Sequence, residues 1–121
     1  MREIPAGTIL WKKAYVTGPD SYDVSTCIVE LEVLEPGIEA DHDHGCYDVN
    51  LLKKCRVRAA LIKSIVNNDG EPLEEAWSLY DRRFRYAVGE TVRPRDTFLE
   101  VNQACGSGIH GFEDRQTAEY Y

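Results

Sequence analysis

A chain of 121 residues with 43% hydrophobic and 29% charged side chains suits one domain, residues 1–121, with a core of its own, and is short for two. The formal net charge of −7 argues against nucleic acid as a partner, since phosphate binding is driven by neutralisation with Lys and Arg. No apolar run approaches the roughly 20 residues that cross a bilayer, and Met1-Arg2-Glu3-Ile4-Pro5 lacks the apolar stretch of a secretory leader, so no membrane role and a cytoplasmic location are expected.

In chain order, Thr8 to Val16 reads as a first strand, with Ile9, Trp11, Lys13 and Tyr15 on one side, broken by the turn residues Thr17-Gly18-Pro19-Asp20. Thr26 to Glu35 alternates more clearly: Val29, Leu31 and Val33 face one way, Glu30 and Glu32 the other, and Pro36-Gly37 is expected to end it. Gly37 to Leu52 is polar and irregular and reads as a long excursion. Cys55 to Val66 resumes as a strand with Val57, Ala59 and Leu61 on one face and Arg56 and Arg58 on the other, up to the turn Asn67-Asn68-Asp69-Gly70. Leu73, Ala76, Trp77 and Tyr80 fall at i, i+3, i+4 and i+7, which predicts a short amphipathic helix with Pro72 in its first turn. Arg83 to Val92 reads as a strand interrupted at Gly89, Ile109 to Phe112 as a last strand, and Asp114 as the N-cap of a closing helix. The expected architecture is α+β: a mostly antiparallel, twisted sheet of four to six strands with two or three short helices.

Charge is segregated along the chain. Between Ala14 and Leu52 there is no Lys or Arg, whereas Lys53, Lys54, Arg56, Arg58 and Lys63 follow with no acid before Asp69. If the two long strands are adjacent, Glu30 and Glu32 are expected to face Arg56 and Arg58 across the sheet, each pair contributing roughly 0.2–1 kcal/mol. Left unpaired, the acidic surface from Glu30 to Asp48, with the loop His42–Cys46, is the expected contact region for a protein partner.

Several residue groups have the chemistry for a site. His42, His44 and Cys46 alternate, and with Cys55 or Cys105 they are a candidate zinc set, since zinc takes imidazole and thiolate ligands. The four cysteines contain no C-x-x-C pair, and with no leader beside them they are expected as free thiols. Cys105 lies near His110, a thiol and an imidazole that can form an activated nucleophile when they meet. Arg83-Phe84-Arg85-Tyr86 interleaves bases with aromatics, but Phe84, Tyr86 and Val88 alternate as the core face of a strand would. In Cys105-Gly106-Ser107-Gly108-Ile109-His110-Gly111-Phe112, glycines permit a close approach that sets His110 at a surface.

Trp11-Lys12-Lys13, Lys54-Cys55-Arg56, Tyr86-x-Val88-Gly89-Glu90, Cys105-x-x-Gly108-Ile109-His110 and Ala118-x-Tyr120, in that order, resemble an uncharacterised family of small bacteriophage and giant-virus proteins, a domain of unknown function whose members sometimes sit beside pentapeptide repeats. The resemblance implies a phage or viral origin, expression in a host cytoplasm and an accessory role; the expected function is a small phage or viral accessory protein that binds a host or viral protein, with no cofactor. Gly108-Ile109-His110-Gly111-Phe112 with Ala118-x-x-Tyr121, and Leu10-Trp11-Lys12 earlier, are remotely similar to ADP-ribosyltransferases. That similarity implies NAD held by Trp11, Gly108 and His110, with His110, Glu113 and Lys12 as catalytic candidates. His110 stands where that family has a stacking tyrosine, and Lys12 where it has a histidine.

Overall fold

The computed structural model describes residues 2–39, 54–95 and 108–121. Those residues form nine strands: β1 (Arg2–Ile4), β2 (Ile9–Tyr15), β3 (Thr26–Glu39), β4 (Cys55–Asn67), β5 (Pro72–Leu73), β6 (Glu75–Ser78), β7 (Arg85–Ala87), β8 (Thr91–Val92) and β9 (Ile109–Gly111). One short helix, α1 (Arg115–Tyr120), follows. All pairings are antiparallel, in the order β5-β4-β3-β2-β6-β7, with β1 added to β3 and both β8 and β9 to β4. The described residues are therefore an all-antiparallel sheet with a single helix, at the C-terminal end, not the expected α+β domain with two or three helices.

The missing helix is the Leu73–Tyr80 segment. There Ala76 and Ser78 are buried while Glu75 and Trp77 are half-exposed, a period of two, because β2 and β7 supply ladders on either side of β6. Pairing with neighbours outweighs a short helical periodicity. The single strand expected over Arg83–Val92 is two: the chain turns through Gly89 (φ 86°), so that β7 joins β6 and β8 joins β4. The α1 expectation holds, with the Asp114 side chain accepting from the Gln116 N–H.

Pro36-Gly37 does not end β3, which runs on to Glu39. Gly37 sits opposite Val57 so tightly that a Cβ there would collide with the Arg56 carbonyl. Two register shifts between β3 and β4 place an extra residue first on β4, at Lys63, and then on β3, at Leu34. They switch which β4 side chains face the core, so Cys55 and Val57 point inward at one end, Ala60 and Ile62 between the shifts, and Ile65 beyond them. Leu61, expected on the core face with Val57, is only half-buried for that reason.

The sheet has two apolar faces. The main core gathers Ile4, Leu10, Ala14, Val29, Leu31, Val33, Val57, Ile62, Tyr86 and Ile109 among others. The opposite face carries a smaller cluster of Ile28, Phe112 and Ala118, packed by Trp11, Val66 and Tyr121, where α1 docks. The sheet curls until Phe112, one residue past β9, exchanges backbone hydrogen bonds of 2.7 and 2.8 Å with Trp11 of β2. Gly111 makes this approach possible: a Cβ there would lie 2.9 Å from that of Leu10.

Candidate functional site

The curled sheet leaves a gap beside β2. Phe112 bonds β2 at Trp11, and β6 pairs with it only at Ala14 and Tyr15, so the wall opens at Lys12 and Lys13. A cleft of about 260 Å³ lies at that gap, lined by Lys12, Ser78, Asp81, Phe84, Tyr86 and Arg95 together with Tyr80, Pro94 and residues 108–110 of the β9 segment.

Lys12 is set there by register: it opposes Val29, so its side chain leaves β2 on the core face. Its ammonium reaches Tyr86 on the neighbouring hairpin, donating to the phenol oxygen at 2.6 Å and lying 4.6 Å from the ring centroid. Phe84 tilts against Tyr86 with centroids 5.3 Å apart, and the Arg95 guanidinium lies 5.3 Å from the Phe84 centroid. Arg95 also bonds Asp81 at 2.7 Å. The Asp81 carboxyl is held below its ordinary value by hydrogen bonds from the Arg83 side chain and backbone, aided by the Arg83 and Arg95 charges. Arg95, Phe84 and Asp81 thus form one braced wall of the cleft, and Lys12 with Tyr86 the other. Among the described residues no carboxylate pairs with the half-buried Lys12 ammonium.

Next to this cleft lies a second cationic feature. Lys54, 2% exposed, donates to the hydroxyls of Tyr80 (3.2 Å) and Tyr121 (3.0 Å) and lies between their rings, 4.8 and 4.7 Å from the centroids. Arg56 is fully buried opposite His110 of β9, and burial pulls its pKa down.

The sequence-derived candidates divide among three places. Lys12, Gly108 and His110 line the same cleft. Trp11 does not, because adjacent residues of a strand point to opposite faces: it packs with the Phe112 cluster and under Arg115, 5.3 Å from its ring. Glu113 lies in a different hollow of about 480 Å³ with Arg2 and Glu39, and Arg2 bonds both carboxylates. Glu39, Cys55 and Glu113 bring their ligand atoms within 4.8 Å of one another, a group able to hold a metal ion, yet Arg2 already bridges both carboxylates. His42, His44, Cys46 and Cys105 lie outside the described residues.

The expected charge pairing is also corrected. Arg56 opposes Ile38 and Arg58 donates to the Pro36 carbonyl (2.9 Å), because β3 extends past Pro36 and its far end meets the basic part of β4. Glu30 instead accepts from Ser64 (2.8 Å), Glu32 meets Lys63 (3.4 Å), Glu35 pairs with Arg93 and Glu39 with Arg2. Three of the four acids of β3 thus have a cationic partner within the fold, and Glu30 has a hydroxyl.

Sequence reasoning missed Asp81, Arg95 and Ser78 as cleft residues. The interleaved Arg83–Tyr86 run was the available signal: Tyr86 does enter the core, but Phe84 is only half-buried at the cleft and Val88 is exposed.

The described residues thus form a curled antiparallel sheet with a cleft lined by Lys12, Arg95, Asp81 and aromatic side chains. The chain belongs to the family of unknown function DUF5758, whose model matches residues 4–118. It is also 36% identical over 99 residues to an uncharacterised protein, L223, of Acanthamoeba polyphaga mimivirus. That match covers 78% of this chain and 61% of the relative, so the chain spans about three fifths of the length of the giant-virus protein. No solved structure matches it. Among the described residues, no helix is long and apolar enough to cross a membrane.

Proposed function

We propose that this is a viral accessory protein that acts by binding a host or viral protein, and that the Lys12 cleft receives an acidic side chain of that partner together with a neighbouring ring. One observation carries the reading: a half-buried ammonium on the core face of β2 opens onto a cavity and has a phenol, rather than a carboxylate, as its partner. A partly desolvated cation gains most from an anion placed beside it. The half-buried Phe84 ring adds apolar surface beside the ammonium.

Size favours a protein segment over a dinucleotide. Small-molecule sites run about 300–1,000 Å³, and a cleft of about 260 Å³ holds a side chain or two. Of the expected acidic contact region, Glu30 to Asp48, the carboxylates of β3 have partners within the fold, and the remainder with the loop His42–Cys46 lies outside the described residues; the cleft is the contact region proposed here. The NAD-dependent alternative retains Lys12, Gly108 and His110 in one cleft, but Trp11 and Glu113 lie elsewhere.

Calorimetric titration with acetyl-Asp-Tyr-Asp-amide tests the reading. Saturable binding is expected, weakened about tenfold or more by Lys12→Gln and by Arg95→Gln, a loss of about 1.4 kcal/mol. Binding indifferent to both substitutions contradicts it. NAD binding that disappears in His110→Ala would replace it with the enzyme reading.

A further inference from the structure

Lys13 leaves β2 on the face opposite Lys12: it pairs in register with Ile28, a member of the smaller apolar cluster. There it lines a hollow of about 330 Å³ that shares no residue with the Lys12 cleft. The walls come from the start of β3, the last residue of β4 with the turn after it, and the exposed side of α1.

Three side chains on this hollow carry donors that the fold leaves over. The half-buried Lys13 ammonium makes no hydrogen bond or ion pair among the described residues. The Arg115 guanidinium is held from two sides, its Nε donating to Glu119 at 3.1 Å and its carbon 5.3 Å from the Trp11 ring centroid. Its two terminal nitrogens make no hydrogen bond among the described residues. The Asn67 Oδ1 accepts the N–H groups of Asp69 (3.0 Å) and Glu71 (2.9 Å), which fixes the carboxamide and leaves its Nδ2 as a donor without an acceptor among the described residues. Glu119 is the one acid among the described residues of the lining, and Arg115 already engages it, so the charge of Lys13 stands uncompensated.

A half-buried ammonium gains from an anion placed beside it. An ammonium, a guanidinium and a carboxamide on three separate elements donate from different directions. That arrangement suits the several oxygens of a phosphoryl group better than the two coplanar oxygens of a carboxylate. The volume falls within the roughly 300–1,000 Å³ of small-molecule sites, and the largely polar walls suit a polar ligand.

We propose that the hollow between α1 and the end of β4 binds a small phosphoryl anion, with Lys13 supplying the charge and Arg115 and the Asn67 carboxamide the directed hydrogen bonds. The phosphoryl group belongs either to free phosphate or to a small phosphate ester.

Titration of the ¹⁵N-labelled full chain with inorganic phosphate and, separately, with glycerol 2-phosphate tests it through amide shifts. Saturable shifts are expected at Lys13, Thr26, Asn67, Asn68 and Arg115, with Ser78 and Phe84 of the Lys12 cleft unmoved. Lys13→Gln and Arg115→Gln should each weaken binding about tenfold or more. Asn67→Asp is the sharper variant. It keeps the oxygen that accepts from Asp69 and Glu71, so the turn stands, but puts a negative charge in place of the donor. Binding should vanish in it while the rest of the spectrum keeps its native dispersion. Tighter binding of the ester identifies a phosphate ester as the ligand, and tighter binding of phosphate identifies the free anion; either upholds the site. No saturation at millimolar phosphate or ester, binding unchanged in Asn67→Asp or Lys13→Gln, or acetate bound as tightly as phosphate would overturn the proposal.

Discussion

Cys27 and Cys55 sit on the core face of the two long strands, and burial raises their thiol pKa values to about 11 and about 12; for Cys55 the Glu39 and Glu113 charges add to the effect. Neither thiolate forms at neutral pH, so neither is a nucleophile in the folded protein. Alkylation with iodoacetamide at pH 7.5, read by peptide mass, should leave both unmodified unless denaturant is added; rapid labelling of either in the native protein contradicts this burial. Because the folded values are raised above the ordinary 9.0, the unfolded chain releases these protons first. Their contribution to stability is intact below pH 9 and declines as pH rises through the folded values. At this scale the sequence was partly legible: a free thiol was the expectation for both, and their burial follows from the register of β3 and β4. The role of Lys12 was less so, because a lysine next to Trp11 gives no sign of whether the lysine or the tryptophan faces the core. Strand register decides that, and register depends on partners far away in the chain.

The long strands β3 and β4 show most clearly how an element departs from its sequence pattern. The alternation of Val29, Leu31 and Val33 identified β3 and its core face correctly. What alternation does not reveal is an extra residue on one strand: Lys63 and Leu34 each interrupt the pairing, and the inward set of β4 changes phase. Pro36-Gly37 misleads for a related reason. It has the composition of a turn, yet glycine is required there by the close passage of the Arg56 carbonyl. Gly37→Ala should therefore destabilise the protein by roughly 2–4 kcal/mol, read as a lower midpoint in urea, since the added methyl has backbone rather than a flexible side chain to displace. A change under about 0.5 kcal/mol, the range of neutral surface substitutions, would show that the strands are not packed this closely. The supposed Leu73–Tyr80 helix failed because its apolar residues also satisfy a short strand, and only the ladders on both sides of β6 separate the two.

For the whole molecule, closure of the sheet is what creates the site. The Trp11–Phe112 bonds draw β9 toward β2 without sealing the wall, and the remaining gap brings together residues from β2, the β6–β7 hairpin, the segment after β8 and the start of β9. Such a set is dispersed over nearly one hundred positions, so no local motif announces it; His110 and Lys12 were singled out from short stretches, while Asp81 and Arg95 carried no signal of their own. Net charge misleads at this scale too. On a chain of net −7, Glu32, Glu35 and Glu39 of β3 are ion-paired within the fold, and the cleft proposed as the binding site carries Lys12 and Arg95. The most direct test is an amide chemical-shift map of the ¹⁵N-labelled protein titrated with acetyl-Asp-Tyr-Asp-amide. The largest shifts are predicted at Lys12, Ser78, Phe84, Tyr86, Arg95 and residues 108–110, with Glu30 to Glu39 unmoved. Shifts centred on β3, or none at millimolar peptide, would contradict the assignment of binding to the cleft.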